Sequence, residues 1–252
     1  MTPPDGLAAL WPPAGLRLRS GDLELRWPDD ALLLEVAALA GRGIHDPGAM
    51  PFTVPWTRGT PEEVARSVLR YQWAQRAAVE PASWTLELVV LRDGVPVGLQ
   101  GVSARDFPVL RTAVSGSWLG REHQGRGTGS RMRVLVLHLL FEGLGARAAT
   151  TDAFADNPAS LGVTRRLGYR PDGVQDLVRD GAPARSLRFR LDRAGWEARP
   201  AALRPEVATE GVEALRAFLA VDGPGGDVGD VGDRGGVGPA GAGPGVSAPT
   251  PP

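Results

Sequence analysis

The stretch Gln124-Gly125-Arg126-Gly127-Thr128-Gly129-Ser130 carries three glycines at alternate positions and is followed by an apolar run. A predicted strand precedes it and a predicted helix follows it. In such an arrangement the unbonded N–H groups at the start of the helix and the helix dipole converge on an anion, usually a phosphate. Glycine also lets the main chain approach the phosphate closely. The stretch therefore predicts a phosphate-binding loop, with an ordinary glycine-rich turn as the alternative.

The spacing within the loop separates three classes of nucleotide site. A P-loop requires Gly-Lys-Ser/Thr at its end, and the chain contains no lysine. A dinucleotide fingerprint requires a glycine where Ser130 stands and a place near the start of a parallel repeat. This loop follows predicted antiparallel hairpins instead. The pattern that fits is Q/R-x-x-G-x-G/A, which Gln124, Gly127 and Gly129 occupy.

Upstream of the loop, the pattern of apolar residues predicts hairpins and two helices. Asp93-Gly94 is a strong two-residue hairpin signal between two strand-like segments. Pro61, followed by Glu62 and Glu63, indicates a helix start because acidic residues favour the positive end of the helix dipole. The predicted strands are 16–19, 23–27, 84–92, 95–104 and 111–119, and the predicted helices are 29–40 and 61–78.

Downstream of the loop, the apolar run from Met132 to Phe141 predicts a helix that is buried against a sheet. The predicted elements are helix 130–142, strand 146–153, helix 157–167, strand 185–191 and helix 207–220. Hairpins in the first half and strand-helix-strand in the second half indicate an α+β fold. We expect a mixed, largely antiparallel central sheet flanked by helices.

Composition divides the chain into four parts. Residues 223–252 are rich in glycine and proline and poor in large apolar side chains, so this tail cannot offset its ordering entropy and is predicted to be disordered. The predicted elements before it form one domain over 16–193. We expect 1–15 to be a flexible N-terminal segment and 194–222 to be a C-terminal helical extension.

Composition also excludes several classes of protein. The absence of cysteine excludes disulfides and thiolate sites and fits a cytoplasmic protein. No apolar run reaches the roughly 20 residues of a membrane helix, so no membrane association is expected. A net charge of −1 without a basic stripe argues against a nucleic-acid partner. Three scattered histidines have no metal-ligand spacing, so no metal is expected.

Three further segments join the loop in resembling one family. They are Gly116-Ser117-Trp118-Leu119-Gly120 before the loop, Asp156-Asn157-Pro158-Ala159-Ser160 after it, and Val163 with Leu167-Gly168-Tyr169. With the order of elements, they resemble the GNAT superfamily of N-acetyltransferases over about 16–193. The segment that carries Asn157 and Ser160 is similar to the corresponding segment in the branch of ribosomal-protein and small-amine acetyltransferases. The resemblance implies the GNAT-like acyl-CoA N-acyltransferase fold, with acetyl-CoA as co-substrate.

The resemblance also implies roles for individual residues. The N–H of Leu119 would face the acyl carbonyl, and Ser160 would protonate the departing thiolate in place of the tyrosine used by many relatives, whose position is Thr164 here. Asn157 would bind the pantetheine arm or position a water. Arg126 or Arg131 would pair with a phosphate. The pyrophosphate would be bound by Gln124, Gly125, Arg126, Gly127, Thr128, Gly129 and Ser130.

The general base and the acceptor site are located only by their place in the chain. Glu87 and Asp106, on or after the hairpin strands, are candidates for the base that accepts the proton of the ammonium. The long aromatic loop between the first two helices would form the acceptor wall. Its candidate residues are His45, Asp46, Phe52 and Trp56.

Two functions are consistent with these residues. The first is an acetyl-CoA-dependent N-acetyltransferase acting on a peptide N-terminus, an amino acid or a small amine. The second is a non-catalytic acyl-CoA sensor or interaction module of the same fold. Ser160 favours the enzyme, since a sensor needs no acid beside the sulfur. The expected partners are an acyl-CoA and an amine acceptor, and a homodimer is left open.

Overall fold

One twisted sheet organises the chain in the computed structural model, which describes residues 6–200 and 203–222. Its strands follow the order β7-β8-β6-β5-β4-β3-β2-β1-β9. They are β1 Arg17–Ser20, β2 Leu23–Arg26, β3 Ser83–Arg92, β4 Val95–Arg105, β5 Thr112–Leu119, β6 Ala148–Phe154, β7 Arg170–Arg179, β8 Ala182–Asp192 and β9 Ala208–Glu210. Neighbouring strands are antiparallel except β5 and β6, which run parallel. The sheet is therefore mixed and largely antiparallel, as predicted.

Helices cover both faces of this sheet. They are α1 Gly6–Leu10, α2 Asp30–Gly41, α3 Pro61–Ala77, α4 Phe107–Leu110, α5 Thr128–His138, α6 Pro158–Arg166, α7 Arg193–Glu197 and α8 Val212–Phe218. On one face α2 and α3 pack against Val89 and Leu91 of β3. On the other face α5 packs against Leu86 and Leu88 of the same strand. Alternate residues of β3 thus supply two separate cores, as a pleated strand requires.

Local sequence signals account for where α2 and α3 begin. The side chain of Asp29 accepts a hydrogen bond of 2.8 Å from the N–H of Leu32, which caps α2. Thr60 and Glu63 form a reciprocal capping box at the start of α3, with Pro61 in its first turn. Because these caps fix both helix starts, they also fix the direction in which the chain enters each helix.

The C-terminal half differs from the prediction at β7. The segment Arg170–Arg179 forms a strand that pairs with β8, and β8 itself begins at Ala182. Asp180 and Gly181 make the turn with positive φ, so the Asp-Gly hairpin signal is present in the sequence. Most side chains of β7 are exposed, and the strand therefore lacks the apolar alternation that identifies half-buried strands.

The C-terminal segment also differs from the prediction. The predicted helix 207–220 is replaced at its start by β9, which pairs antiparallel with β1, and α8 covers only Val212–Phe218. Leu215, Leu219 and Val221 are fully buried in the main core. Residues expected to be an appended extension therefore complete the sheet and its core.

The N-terminal segment is ordered where the structure describes it. Residues 6–15, expected to be flexible, form α1 and a 3-10 turn over Pro12–Gly15. The ring of Trp11 lies 5.2 Å from that of Phe218 in an edge-to-face contact. The N-terminal and C-terminal segments therefore pack on each other. The predicted disordered tail, 223–252, lies outside the described residues.

Candidate active site

A fork in the sheet is the central feature of the site. β5 and β6 pair only through Thr112–Val114 and Ala148–Thr150, whereas β5 continues to pair with β4 as far as Leu119. At the base of the fork, the hydroxyl of Ser115 donates to the carbonyl of Thr150 across 3.3 Å, and Thr151 Oγ1 donates to the carbonyl of Ser115 across 3.0 Å. Beyond this point the two strands diverge and leave an opening between them.

The hydrogen-bond register of β4 and β5 fixes which backbone groups face the opening. The N–H of Gly120 donates to the carbonyl of Val97 across 2.9 Å. In an antiparallel ladder alternate residues direct their N–H groups to the partner strand, so Ser117 and Leu119 direct theirs to the other side. That side is where β6 has separated. The N–H of Leu119 therefore faces the fork, which is the location that its predicted role requires.

The glycine loop ends at the start of α5, next to the fork. Gly125 and Gly127 have φ angles of 74° and 77°, in the left-handed region that favours glycine. No side chain caps α5, and the N–H of Arg131 donates to the carbonyl of Gly127 at 3.3 Å. The N–H groups of the preceding residues, 128–130, lie in the first turn, where an α-helix has no intrahelical acceptors. Residues 124–127 are exposed, and a Cβ on Gly125 or Gly127 would meet nothing within 4 Å, so an anion has access to this side of the helix start.

Gln124 has a structural role within this loop. Its Nε2 donates to the carbonyls of Leu119 and Ile44, at 2.9 and 2.5 Å, and its own N–H donates to the carbonyl of Arg121. These bonds tie the end of β5 to the aromatic loop. Since its donors are engaged within the protein, Gln124 orients the loop, and the residues after it remain the phosphate-binding candidates.

The two candidate arginines differ in their surroundings. Arg131 pairs with Asp22 in the β1–β2 turn, and this hydrogen bond is the main reason why the pKa of Asp22 falls to about 2. Arg126 is exposed and has no hydrogen bond or ion pair to any residue in the described ranges. Arg126 is therefore the more available of the two for a phosphate.

The start of α6 lies beside the start of α5. The side chain of Asn157 caps α6 by accepting from the N–H of Ser160 across 3.1 Å. Val163 Cγ2 would lie 3.5 Å from a Cβ on Gly129, and Leu119 Cδ1 would lie 4.0 Å from it. Ser160 lies one helical turn before Val163, and its hydroxyl has no partner within the described part of the chain. The structure thus brings α6, the loop and the end of β5 together.

A cavity opens beside the fork, on the face covered by α3. It is partly open to solvent. Apolar and aromatic side chains supply most of the wall, and the polar groups are hydroxyls and two carboxylates. The lining residues are Phe52, Trp56, Val68, Tyr71, Thr85, Glu87, Leu99, Gly101, Val102, Ser103, Val114, Ser115, Gly116, Ser117, Trp118 and Asp152.

Glu87 lies in the cavity wall and faces Gly101 on β4. A Cβ at Gly101 would lie 2.4 Å from Glu87 Oε1, so only glycine leaves room for this carboxyl group. Desolvation raises the pKa of Glu87 to about 8, and the hydrogen bond that Tyr71 donates across 3.3 Å opposes this shift. A carboxyl group that titrates near neutral pH is suited to accept and release protons.

Asp106, the second predicted base, lies elsewhere. It is exposed, has a φ of 49° at the end of β4, and does not line the cavity. The structure therefore separates the two candidates and brings only Glu87 to the cavity.

Asp152 is a cavity residue that the sequence interpretation missed. Burial raises the pKa of this carboxyl group, and its backbone hydrogen bond and the positive charges of Arg133 and Arg188 oppose the shift. The sequence signal for Asp152 was a carboxylate within a predicted buried strand. Tyr71 and Trp118 were also missed, because only the packing of α3 and the aromatic loop onto the sheet brings them to the cavity.

The aromatic loop forms one wall of the cavity, in part through the predicted residues. The ring of Phe52 lies 5.0 Å from that of Trp56, which lies 6.0 Å from that of Trp118 on β5. His45 lies behind them, bonded to Thr57 Oγ1 across 2.7 Å, and contacts Phe52. Asp46 points away and pairs with Arg121 at 3.1 Å. Phe52 and Trp56 thus line the cavity, and His45 and Asp46 support the loop.

Two further properties concern the described residues only. Nowhere in 6–200 and 203–222 do three or more His, Asp or Glu side chains form a group that would hold a metal ion. Within the same ranges, no helix has both the length and the apolar character needed to span a membrane.

Comparison with known proteins identifies the family. The family model described as "Acetyltransferase (GNAT) domain" matches residues 22–170, more than half of the chain. The forked sheet and the uncapped helix define an acyltransferase fold. The chain belongs to the GNAT acetyltransferase family, and the protein is an N-acyltransferase enzyme.

Solved structures have the same fold at low sequence identity. A putative acetyltransferase from T. thermophilus is 21% identical, with a TM-score of 0.59 over 74% of this chain and 94% of that one. Mycobacterium smegmatis RimJ, in complex with a CoA-disulfide, is 18% identical with a TM-score of 0.58, covering 81% and 92%. RimL, a ribosomal L7/L12 alpha-N-protein acetyltransferase in complex with coenzyme A, is 21% identical with a TM-score of 0.54, covering 70% and 97%. At these identities the likeness concerns the fold.

Proposed function

We propose that the protein transfers the acetyl group of acetyl-CoA to an amine by direct attack of the amine on the thioester. The observation that carries this proposal is the adjacency of the cavity and the fork. Ser117 and Trp118 line the cavity, and the next residue, Leu119, directs its N–H into the fork. An amine in the cavity and a thioester in the fork would therefore meet at the end of β5.

The residues around the fork fit acetyl-CoA. The uncapped N–H groups at the start of α5 and the residues Gly125 to Ser130 would hold the pyrophosphate, with Arg126 as a cationic partner. The pantetheine arm would lie between β5 and β6, where β5 has N–H groups free of ladder partners. RimL and RimJ are solved with coenzyme A or its disulfide, which supports this choice of co-substrate.

Acyl transfer requires three functions in this site. Glu87 accepts a proton from the ammonium and so frees the nitrogen lone pair that attacks the carbonyl carbon. The N–H of Leu119 stabilises the negative charge that develops on the carbonyl oxygen. As the C–N bond forms and the C–S bond breaks, Ser160 passes a proton to the departing thiolate and takes in its place the second proton that the nitrogen releases as it becomes an amide. A base with a pKa of about 8 is matched to neutral pH.

The cavity wall favours one class of amine. Glu87 and Asp152 attract an ammonium group, and Phe52, Trp56 and Trp118 offer an apolar surface to the rest of the acceptor. No lysine, arginine or histidine belongs to the lining formed by the described residues. A free α-carboxylate would find no cationic residue in this lining and would lie near Glu87 and Asp152. We therefore favour a peptide N-terminus or an apolar amine over a free amino acid. A cytoplasmic location remains a prediction from composition.

The deciding experiment is a thiol-release assay with acceptors matched in shape. Phenethylamine, phenylalanine amide and phenylalanine share an aromatic body, and only the third carries a free carboxylate. We expect thiol release above background with the first two and much slower release with phenylalanine. If no amine or peptide N-terminus accelerates thiol release, the proposed transfer is wrong. If phenylalanine is the fastest of the three, the acceptor class is wrong.

A further inference from the structure

A buried arginine lies directly beneath the fork. Arg133 on α5 is 4% exposed, and no carboxylate of the described residues lies within ion-pair distance of it. Its Nε donates to Gln100 Oε1 across 3.4 Å, Nη1 to Thr151 Oγ1 across 3.2 Å and Nη2 to Ser117 Oγ across 3.1 Å. These acceptors belong to β4, β6 and β5 in turn. The guanidinium group therefore links the three strands at the point where β5 and β6 separate.

Arginine has only donors, so it fixes the direction of every hydrogen bond that it makes. Ser117 Oγ must accept from Arg133, and its own proton must point elsewhere. The same holds for Thr151, whose hydroxyl accepts from Arg133 and donates to the carbonyl of Ser115 across 3.0 Å. The amide group of Gln100 follows this pattern, because its Nε2 donates to the carbonyls of Gly101 and Gly116.

One hydroxyl at the fork differs from the other two. Ser115 donates to Thr150, and Thr151 donates to Ser115. Ser117 donates to no acceptor within the described residues, and it lines the cavity two residues before Leu119. Its hydroxyl is thus an oriented donor at the fork with no acceptor in the described part of the protein.

We propose that Ser117, oriented by Arg133, donates a hydrogen bond to a carbonyl oxygen of the acyl-pantetheine arm in the fork. This inference rests on the proposed function, since it assumes that acyl-CoA occupies the fork. Ser117 is a binding residue in this account, and Arg133 is a positioning residue that acts through it. The carbonyl belongs either to a pantetheine amide or to the thioester, and these share the same acceptor chemistry.

Calorimetry with acetyl-CoA and with CoA tests the proposal on the full chain. Ser117→Ala removes the donor, and we expect affinity for acetyl-CoA to fall about three- to tenfold, the range for one neutral hydrogen bond. Equal loss for CoA and acetyl-CoA indicates a pantetheine amide. Loss for acetyl-CoA alone, with a lower kcat, indicates the thioester. Ser117→Thr keeps the hydroxyl and should restore most of the affinity.

Thr112→Val is the matched control, because it removes from the same strand a hydroxyl that already donates to the carbonyl of Leu110 and that lies outside the cavity lining. We expect it to bind both ligands as the native chain does. Native affinity and kcat in Ser117→Ala, or equal losses in Thr112→Val and Ser117→Ala, would overturn the proposal. Absence of acetyl-CoA binding by the native chain would instead overturn the proposed function.

The role of Arg133 is tested by a double-mutant cycle. In an Arg133→Lys background, Ser117→Ala should have a smaller effect on acetyl-CoA affinity than in the native chain, because the serine is no longer oriented. An equal effect of Ser117→Ala on acetyl-CoA affinity in both backgrounds would show that Arg133 does not orient Ser117. If thermal unfolding shows that Arg133→Lys does not fold, the cycle is repeated in a Gln100→Glu background. The new carboxylate should attract the guanidinium group away from Ser117. A smaller effect of Ser117→Ala in this background supports the role of Arg133, and an equal effect excludes it.

Discussion

Tyr71 on α3 donates a hydrogen bond of 3.3 Å to Glu87 on β3, so the helix that covers the cavity is tied to the carboxyl group within it. Burial and then the charge of Glu87 raise the pKa of Tyr71, so the phenol stays a donor throughout the accessible pH range. Glu87 in turn is held near the pH at which a base is most useful. The hydrogen bond therefore links the helix over the cavity to the carboxyl group that we propose as the base.

Glu87→Gln should remove the rising limb of the pH–rate profile. A base must be deprotonated to act, and the pKa of Glu87 is about 8, so kcat/KM of the native enzyme should rise with pH and level off above about 8. In Glu87→Gln we expect kcat/KM to fall about 10²-fold, with the inflection near 8 lost. The exposed Glu35→Gln is the control. An unchanged profile in Glu87→Gln would assign the base elsewhere.

Ser160→Ala should separate binding from chemistry. The hydroxyl has no acceptor in the described chain, so its removal should leave the Kd for acetyl-CoA within about twofold while thiol release slows by about 10²-fold. Thr164→Val is the comparison, since the hydroxyl of Thr164 donates to the carbonyl of Ser160 within α6 across 3.0 Å. Stopped-flow thiol release and calorimetry measure the two quantities. Native turnover in Ser160→Ala would exclude Ser160 as the acid.

Trp56→Ala should weaken binding of the amine acceptor and leave binding of acetyl-CoA unchanged. The ring lies between Phe52 and Trp118 in the cavity wall, so its loss removes apolar contact worth roughly tenfold or more in the KM of an aromatic amine. The Kd of acetyl-CoA should stay constant. Trp73→Ala, which truncates a half-exposed tryptophan outside the cavity, is the control. Equal losses of affinity for the amine and for acetyl-CoA would show that Trp56 stabilises the fold and does not bind the acceptor specifically.

Leu215→Ala should test whether the C-terminal segment belongs to the core. Leu215 on α8 is fully buried, and such truncations cost about 2–5 kcal/mol of unfolding free energy. The variant should still bind acetyl-CoA under conditions where it is folded, because α8 does not contribute to the fork. Urea unfolding provides the measurement, with the exposed Leu34→Ala as control. Equal stability of the two variants would show that the segment is dispensable.

The parts of the fold with strong local signals were predictable from sequence. Asp93-Gly94 and the helix start at Pro61 with Glu62 and Glu63 were recognisable locally, and the buried side of α5 follows from its apolar run. β7 was missed because its side chains are largely exposed. β9 was missed because a three-residue strand depends on its pairing with β1, a contact that no local pattern encodes.

The candidate site also has a part that could be predicted from sequence and a part that could not. Contiguous features such as Gly125 to Ser130 could be located from sequence, whereas the convergence of α3, β3 and the aromatic loop on one cavity could not. Glu87 is a candidate base by its place on a strand, but its raised pKa comes from burial within the surrounding protein. From sequence, Arg133 is only a polar residue within an apolar helix. Its role follows from its hydrogen bonds to the three strands at the fork.

The proposed function depends on binding of acetyl-CoA to the glycine loop. Calorimetry of the native chain should show one molecule bound per chain, and Gly127→Val should lose at least about tenfold in affinity, because a side chain there would stand in front of the first turn of α5. Gly168→Val is the matched control, since Gly168 has a similar φ of 81° and equally open surroundings at the end of α6. We expect Gly168→Val to bind acetyl-CoA as the native chain does. No heat with the native chain, or equal affinities in Gly127→Val and Gly168→Val, would contradict binding at the glycine loop.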